Sequence, residues 1–207
     1  MKTFAKLALV GLFASCGFAQ EPAKPVEPEK KEEKVETKAK AEVTVLMSTS
    51  MGDIHIQLDS KNSPKTVENF LKYVDDKFYD GIIFHRVINN FMIQAGGFKV
   101  DVGTFKKQKT KPAIKNESEK SLPNKTGTIA MARTSDPDSA TSQFFINVAD
   151  NAALDYPNNG GGYATFGKVT KGMDVVNKIK AVKTEIKNGM QNVPTETITI
   201  KSVTRAK

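Results

Sequence analysis

The sequence predicts a mainly β protein, a closed barrel of short strands whose ends are capped by two helices. Three observations predict it. The apolar residues after Val43 fall in short extended segments separated by Gly, Asn, Pro and Ser clusters. Only two stretches carry the helical apolar period. The remaining chain is one domain's worth, long enough to bury a core, and many short strands in one domain must close on themselves to do so.

The chain opens "MKTFAKLALVGLFASCGFAQ". Lys2 and Lys6 precede the apolar run Leu7 to Phe13, and small residues follow, which is the layout of a signal peptide and too short for a good membrane span. Residues 1–19 are therefore expected to be removed, with cleavage after Gly17-Phe18-Ala19 and a mature start at Gln20. Alternatively, Phe13-Ala14-Ser15-Cys16 serves as an imperfect lipobox and Cys16 carries lipid. The protein is expected in the periplasm or secreted, and at a membrane only if Cys16 is lipidated. Residues 20–42 are Pro, Lys, Glu and Ala with no aromatic residue, a composition that cannot bury a core and reads as a solvated linker.

The folded part is taken as residues 43–207. Cys16 is the only cysteine of the chain, so this part holds no disulfide, thiol nucleophile or zinc–thiolate site. Two histidines, His55 and His85, are too few for a histidine-built metal centre. No metal and no cofactor is expected. The formal charge is +8; residues 1–42 hold 8 lysines and 7 acids, leaving 23 basic and 16 acidic residues, or +7, in the domain. The lysines are scattered and an export signal leads away from nucleic acid, so no nucleic-acid partner is expected.

Within the domain, "VTVLMSTSMGDIHIQL" alternates as a hairpin that turns at Met51-Gly52-Asp53, with His55 on its polar side. Ser63 reads as an N-cap with Pro64 at the first helical position. Val67, Phe70, Leu71, Val74 and Phe78 then form one helical stripe, with Gly81 beyond its end. Extended segments are expected at 82–88, 91–94, 128–132, 143–148, 163–169 and 195–203, and a second helix over 174–182 with Val175, Val176, Ile179 and Val182 inward. Two long loops, 97–125 and 150–162, either shape a binding surface or simply move.

The chemistry concentrates in "FHRVINNFMIQAGGF". Alternation puts Phe84, Arg86 and Ile88 on one face of a strand, and Ile83, His85 and Val87 on the other. Both faces are largely apolar, so Arg86 must be partly enclosed, which is costly unless it is hydrogen-bonded. A core ion pair would satisfy it equally well. The other segments offer Phe91, Met92, Gln94, Ala132, Gln143 and Phe145, and no nucleophile or general base. Such a set grips an apolar ring and polarises an amide; it does not readily break a bond.

"FHRVINNFMIQAGGF", "GTIAMAR", "SQFFINV" and "FGKVTKGMDVV", in that order, resemble the cyclophilins, the peptidyl-prolyl cis–trans isomerases, and most closely their bacterial periplasmic members. The resemblance implies an eight-stranded antiparallel barrel capped by two helices. It implies that Arg86 is catalytic, that Phe91, Met92, Phe145 and Leu154 hold the substrate proline, and that Gln94 and Gln143 line the groove. Ala132 and Arg133 match the strand along which substrate backbone lies, His85 precedes the arginine as in many members, and Tyr163 takes the place of a rim histidine. Ala95 and Asn89-Asn90 depart from the family's glycine and Pro-Gly, and Ala153 stands where a tryptophan contacts cyclosporin. The expected function is rotation of X–Pro bonds in unfolded or flexible exported polypeptides, by a monomer. The alternative is a groove that binds proline peptides, or holds unfolded chains, without turnover.

Overall fold

Period-two alternation places the first strands. The computed structural model describes residues 43–206. β1 (Thr44–Thr49) and β2 (Gly52–Leu58) pair with Val45 opposite Ile56 and Met47 opposite Ile54, all fully buried. Their turn is Ser50-Met51, one residue earlier than expected, because Thr49 pairs with Gly52 and its hydroxyl donates to the Gly52 carbonyl at 2.7 Å.

α1 (Pro64–Asp75) buries Val67, Phe70, Leu71 and Val74 as the stripe predicts. Phe78 is not part of it. The helix stops at Asp75, and Phe78 packs on Tyr73 from the following turn, with ring centroids 4.7 Å apart. Ser63 occupies the N-cap position but does not cap: its hydroxyl donates to the Thr165 carbonyl at 2.6 Å. Glu117 caps instead, from 51 residues along the chain. Its carboxylate accepts the Thr66 backbone N–H and hydroxyl, both at 2.8 Å, and the Lys65 N–H at 3.1 Å. A carboxylate there also suits the positive end of the helix dipole.

β3 (Arg86–Ile88), β4 (Met92–Ala95), β5 (Phe98–Asp101), β6 (Thr104–Lys107), β7 (Thr128–Met131) and β8 (Phe144–Asn147) follow, then β9 (Thr165–Lys171), helix α2 (Met173–Lys180), β10 (Thr184–Lys187), β11 (Met190–Pro194) and β12 (Ile200–Arg205). Eight of them form one antiparallel sheet in the order β12-β1-β2-β9-β7-β8-β4-β3. No regular ladder joins its two edges. They meet through residues 81–84 and 198–200, where the Gly81, Ile200 and Phe84 amides donate to the Ile200, Ile82 and Ile198 carbonyls at 2.7–2.9 Å. The sheet thereby curls into the expected eight-stranded barrel. Because 83–85 is bridge rather than ladder, the alternation slips there: Phe84, expected beside Arg86, sits with Val87 in the barrel core.

The core is aromatic at one end. Phe70 of α1 lies 5.1 Å from Tyr79, 5.8 Å from Phe144 and 5.1 Å from Phe166, centroid to centroid. α2 buries Val175, Val176 and Ile179 against the other end; Val182 lies past its last turn. Two hairpins, β5–β6 and β10–β11, lie outside the barrel ladder. The second half of the long loop is fastened rather than loose: the Lys111 N–H donates to the Tyr73 hydroxyl at 2.8 Å and the Ile114 N–H to the Ala140 carbonyl at 2.9 Å.

Candidate active site

Four strands bring the site together through one row of the sheet. Arg86 pairs with Gln94, Gln94 with Phe145, and Phe145 with Ala130. The adjacent row is Val87, Ile93, Ile146 and Ile129, all buried in the barrel core. Since successive side chains alternate across a strand, a core row inside forces the Arg86 row outside.

That outer face carries its own apolar cluster. Met92, Ala130, Phe145 and Leu154 are buried in it, and Ile88, Phe91, Ala132 and Tyr163 pack around them. Connections across the face hold the cluster in place. The Val148 N–H and the Asn151 side-chain amide both donate to the Phe91 carbonyl, at 3.1 and 2.8 Å. The Tyr163 N–H donates to the Leu154 carbonyl at 2.8 Å, and the Tyr163 ring meets Phe145 edge-on at 5.8 Å.

Beside this pocket runs a polar chain. Arg86 Nη1 donates to Gln94 Oε1 at 3.3 Å, and Gln94 Nε2 donates to Gln143 Oε1 at 3.0 Å. Arg86 is half-buried and forms no ion pair among the described residues. The core ion pair left open by the sequence is therefore not what satisfies it. Gly97 permits the approach of Gln143: a Cβ at residue 97 would stand 2.7 Å from the carboxamide nitrogen, inside contact distance.

His85 faces the other way. It is buried, its ring lies edge-on to Phe98 at 4.8 Å, and its Nδ1 is without a hydrogen-bond partner. Burial lowers its pKa to about 4; Arg86 adds to this, while the Ile83 backbone and Gln143 oppose it. At neutral pH it is an uncharged ring behind the groove, not part of its surface.

Ala132 continues the groove: its N–H donates to the Gln143 carbonyl at 2.9 Å. The Arg133 side chain turns to the loop ending at Gly162 and to the Tyr163 ring. On the far side of Gln94 and Gln143 opens a cavity of about 250 Å³, also lined by Lys107, Gln108, Thr110, Thr141 and Ser142. None of these five was expected from the sequence. Thr141 and Ser142 directly precede Gln143, while Lys107, Gln108 and Thr110 reach the site because the β5–β6 hairpin returns the chain, with the Gln108 N–H donating to the Gly97 carbonyl at 3.0 Å.

No cluster of His, Cys, Asp and Glu suited to a metal occurs among the described residues. The arrangement offers an apolar socket, two carboxamides and a guanidinium at its edge.

Comparison with known proteins agrees with this geometry. Residues 44–205 match the family model described as "Cyclophilin type peptidyl-prolyl cis-trans isomerase/CLD". The chain is 54% identical over 158 residues to peptidyl-prolyl cis-trans isomerase A of Dickeya dadantii, covering 76% of this chain and 82% of the relative. It is 50% identical to isomerase B of Escherichia coli, over 77% of this chain and 98% of that one. Among solved structures, a Cryptosporidium parvum cyclophilin superposes with a TM-score of 0.65 at 25% identity, covering 80% of this chain and 98% of its own. The eight-stranded curled sheet, its two main helices and these matches place the chain in the cyclophilin-type peptidyl-prolyl cis–trans isomerases.

Proposed function

We propose that this isomerase acts on X–Pro bonds of incompletely folded exported polypeptides outside the cytoplasm, with Arg86 as its catalytic residue. One observation carries the catalytic assignment: the Arg86 guanidinium stands at the edge of the apolar socket, held by Gln94, with no carboxylate paired to it among the described residues.

The chemistry follows from the bond. An X–Pro amide resists rotation because its nitrogen lone pair is delocalised into the carbonyl, a barrier of about 18–20 kcal/mol. Uncatalysed exchange takes tens to hundreds of seconds. As the bond twists, the nitrogen becomes pyramidal and its lone pair localises. A donor aimed at that nitrogen gains strength only in the twisted state, which is what lowers a barrier. Arginine suits the task because it stays charged and presents a rigid fork of donors. Phe91, Met92, Phe145 and Leu154 hold the prolyl ring, while Gln94 fixes the guanidinium and Gln143 fixes Gln94. No bond breaks, so no nucleophile, metal or cofactor is needed. The Cryptosporidium cyclophilin was also solved in the presence of the dipeptide Ala-Pro, which supports a proline-containing ligand for this socket.

The extracytoplasmic assignment rests on residues 1–19 of the sequence, which lie outside the described residues together with the 20–42 linker and Cys16. The mass of the mature N-terminus tests it. A start at Gln20 gives a released protein, a lipidated Cys16 gives an anchored one, and a retained Met1 contradicts export. Proline-limited refolding of an exported protein tests the activity on polypeptides. Substoichiometric isomerase is expected to speed the slow phase; an unchanged phase contradicts the proposal.

A further inference from the structure

The Arg133 side chain does not reach into the groove whose edge its backbone forms. Its Nε donates to the Gly162 carbonyl at 3.0 Å and its Nη1 to the Thr134 carbonyl at 2.9 Å. Its Nη2 donates to the carbonyls of Asn159 at 2.7 Å and Gly160 at 3.3 Å. The guanidinium carbon also lies 4.5 Å from the centroid of the Tyr163 ring, within cation–π range. Arg133 makes no ion pair among the described residues. The nearby carboxylates are engaged elsewhere: Asp138 Oδ1 accepts the Asn116 N–H, and Asp136 Oδ1 accepts the Asp138 N–H.

The turn that Arg133 grips is tied by other groups as well: the Asn116 side-chain amide donates to the Gly161 and Gly162 carbonyls at 3.0 and 3.2 Å, and the Ser118 hydroxyl donates to the Gly161 carbonyl. Asn159, Gly160, Gly161 and Gly162 all take positive φ, at 53°, 67°, 104° and 68°. Such a run is conformationally expensive to order. Gly162 leads directly into Tyr163, and Tyr163 is the ring that stands edge-on to Phe145 in the proline socket. The Tyr163 backbone is held by the Leu154 carbonyl and the Asn124 side chain, whereas Arg133 is the cation that touches this wall twice, through the face of the ring and through the turn that leads into it.

We propose that Arg133 is a positioning residue: its guanidinium fixes Tyr163 as a wall of the proline socket, and so sets how tightly substrate is held without acting on the bond that rotates. This rests on the assignment of that socket to the substrate proline. Lysine cannot replace it, because one ammonium cannot reach three carbonyls of a turn while lying flat on a ring.

The test compares Arg133→Ala, Arg133→Lys, Tyr163→Leu, Tyr163→Phe and the Arg133→Ala/Tyr163→Leu pair in KM, kcat and Tm with a short X–Pro peptide. Arg133→Ala is expected to raise KM about fivefold, the scale of a cation–π contact, with kcat within about twofold of wild type. Arg133→Lys recovers little of this, and Tyr163→Phe, which keeps the ring face, raises KM less than Tyr163→Leu does. The double variant is no worse than Tyr163→Leu alone, because each removes the same wall. An unchanged KM in Arg133→Ala, or multiplicative effects in the pair, overturns the proposal while leaving Arg86 untouched. A wild-type protein without activity on any X–Pro peptide overturns both.

Discussion

At the scale of single residues, His85 shows how burial and function divide one short strand. Its neighbour Arg86 keeps donors at the surface, whereas His85 is buried behind it with its pKa lowered to about 4. The unfolded chain takes up that proton near pH 6.5. Between these values the unfolded state binds more protons than the folded one, so folding stability rises with pH. The contribution is complete above about pH 6.5 and is lost as the pH falls toward 4, up to about 3 kcal/mol. Urea midpoints between pH 4 and 7 are expected to fall more steeply for wild type than for His85→Gln; equal slopes contradict the assignment. Ala153 yields a second prediction at this scale. It is exposed next to the buried Leu154, at the place where the cyclophilin resemblance puts a tryptophan common in eukaryotic members and in contact with cyclosporin, so inhibition is expected to be weak. Nanomolar inhibition in an isomerisation assay contradicts it. Arg86 could be read as a partly enclosed residue from its apolar strand, although the alternation misplaced Phe84, whereas Met92, Gln94 and Phe145 were named through the resemblance of their segments to the cyclophilins. The partners of Arg133 were not legible, because contacts to carbonyls 26–29 residues away leave no pattern in a single chain.

Individual elements depend on long-range ties that local rules do not reveal. The start of α1 carries two local signs of an N-cap at Ser63, the serine itself and Pro64 after it, yet the bonds come from Glu117. Glu117→Ala is expected to lower stability by about 1–2 kcal/mol, the usual cost of a lost cap. It also unfastens the loop around 117, so proteolysis there should become faster. Ser63→Ala should leave that loop protected; equal loop cleavage in both variants contradicts the division of roles. The strands of the barrel and both helices could be read from apolar periodicity. The β5–β6 and β10–β11 hairpins could not. Apart from the buried end of β11 their strands are largely exposed, with Val100 41% and Ile186 75% exposed, so no buried face imposed an alternation. Asn188-Gly189 was the available clue to the second, since that dipeptide favours a tight hairpin turn. Missing the first hairpin hid the polar cavity, because β6 is what carries Lys107 and Gln108 to it.

For the whole molecule, one sheet separates stability from chemistry. The row Val87, Ile93, Ile146 and Ile129 fills the barrel, and the row beside it points Arg86, Gln94, Phe145 and Ala130 outward. Everything the proposed mechanism uses lies within residues 85–163. A chain beginning at Val43 is therefore expected to isomerise short X–Pro peptides as fast as the full chain; a large loss would give the N-terminal segment a part in the site. The most direct test of the account is the bound-state cis–trans exchange rate of an X–Pro peptide, measured by NMR for wild type and Arg86→Ala at saturating peptide. The account predicts a rate lower by about a hundredfold or more, the scale of losing one transition-state donor, with peptide affinity nearly unchanged. Equal exchange rates in the two proteins would contradict it.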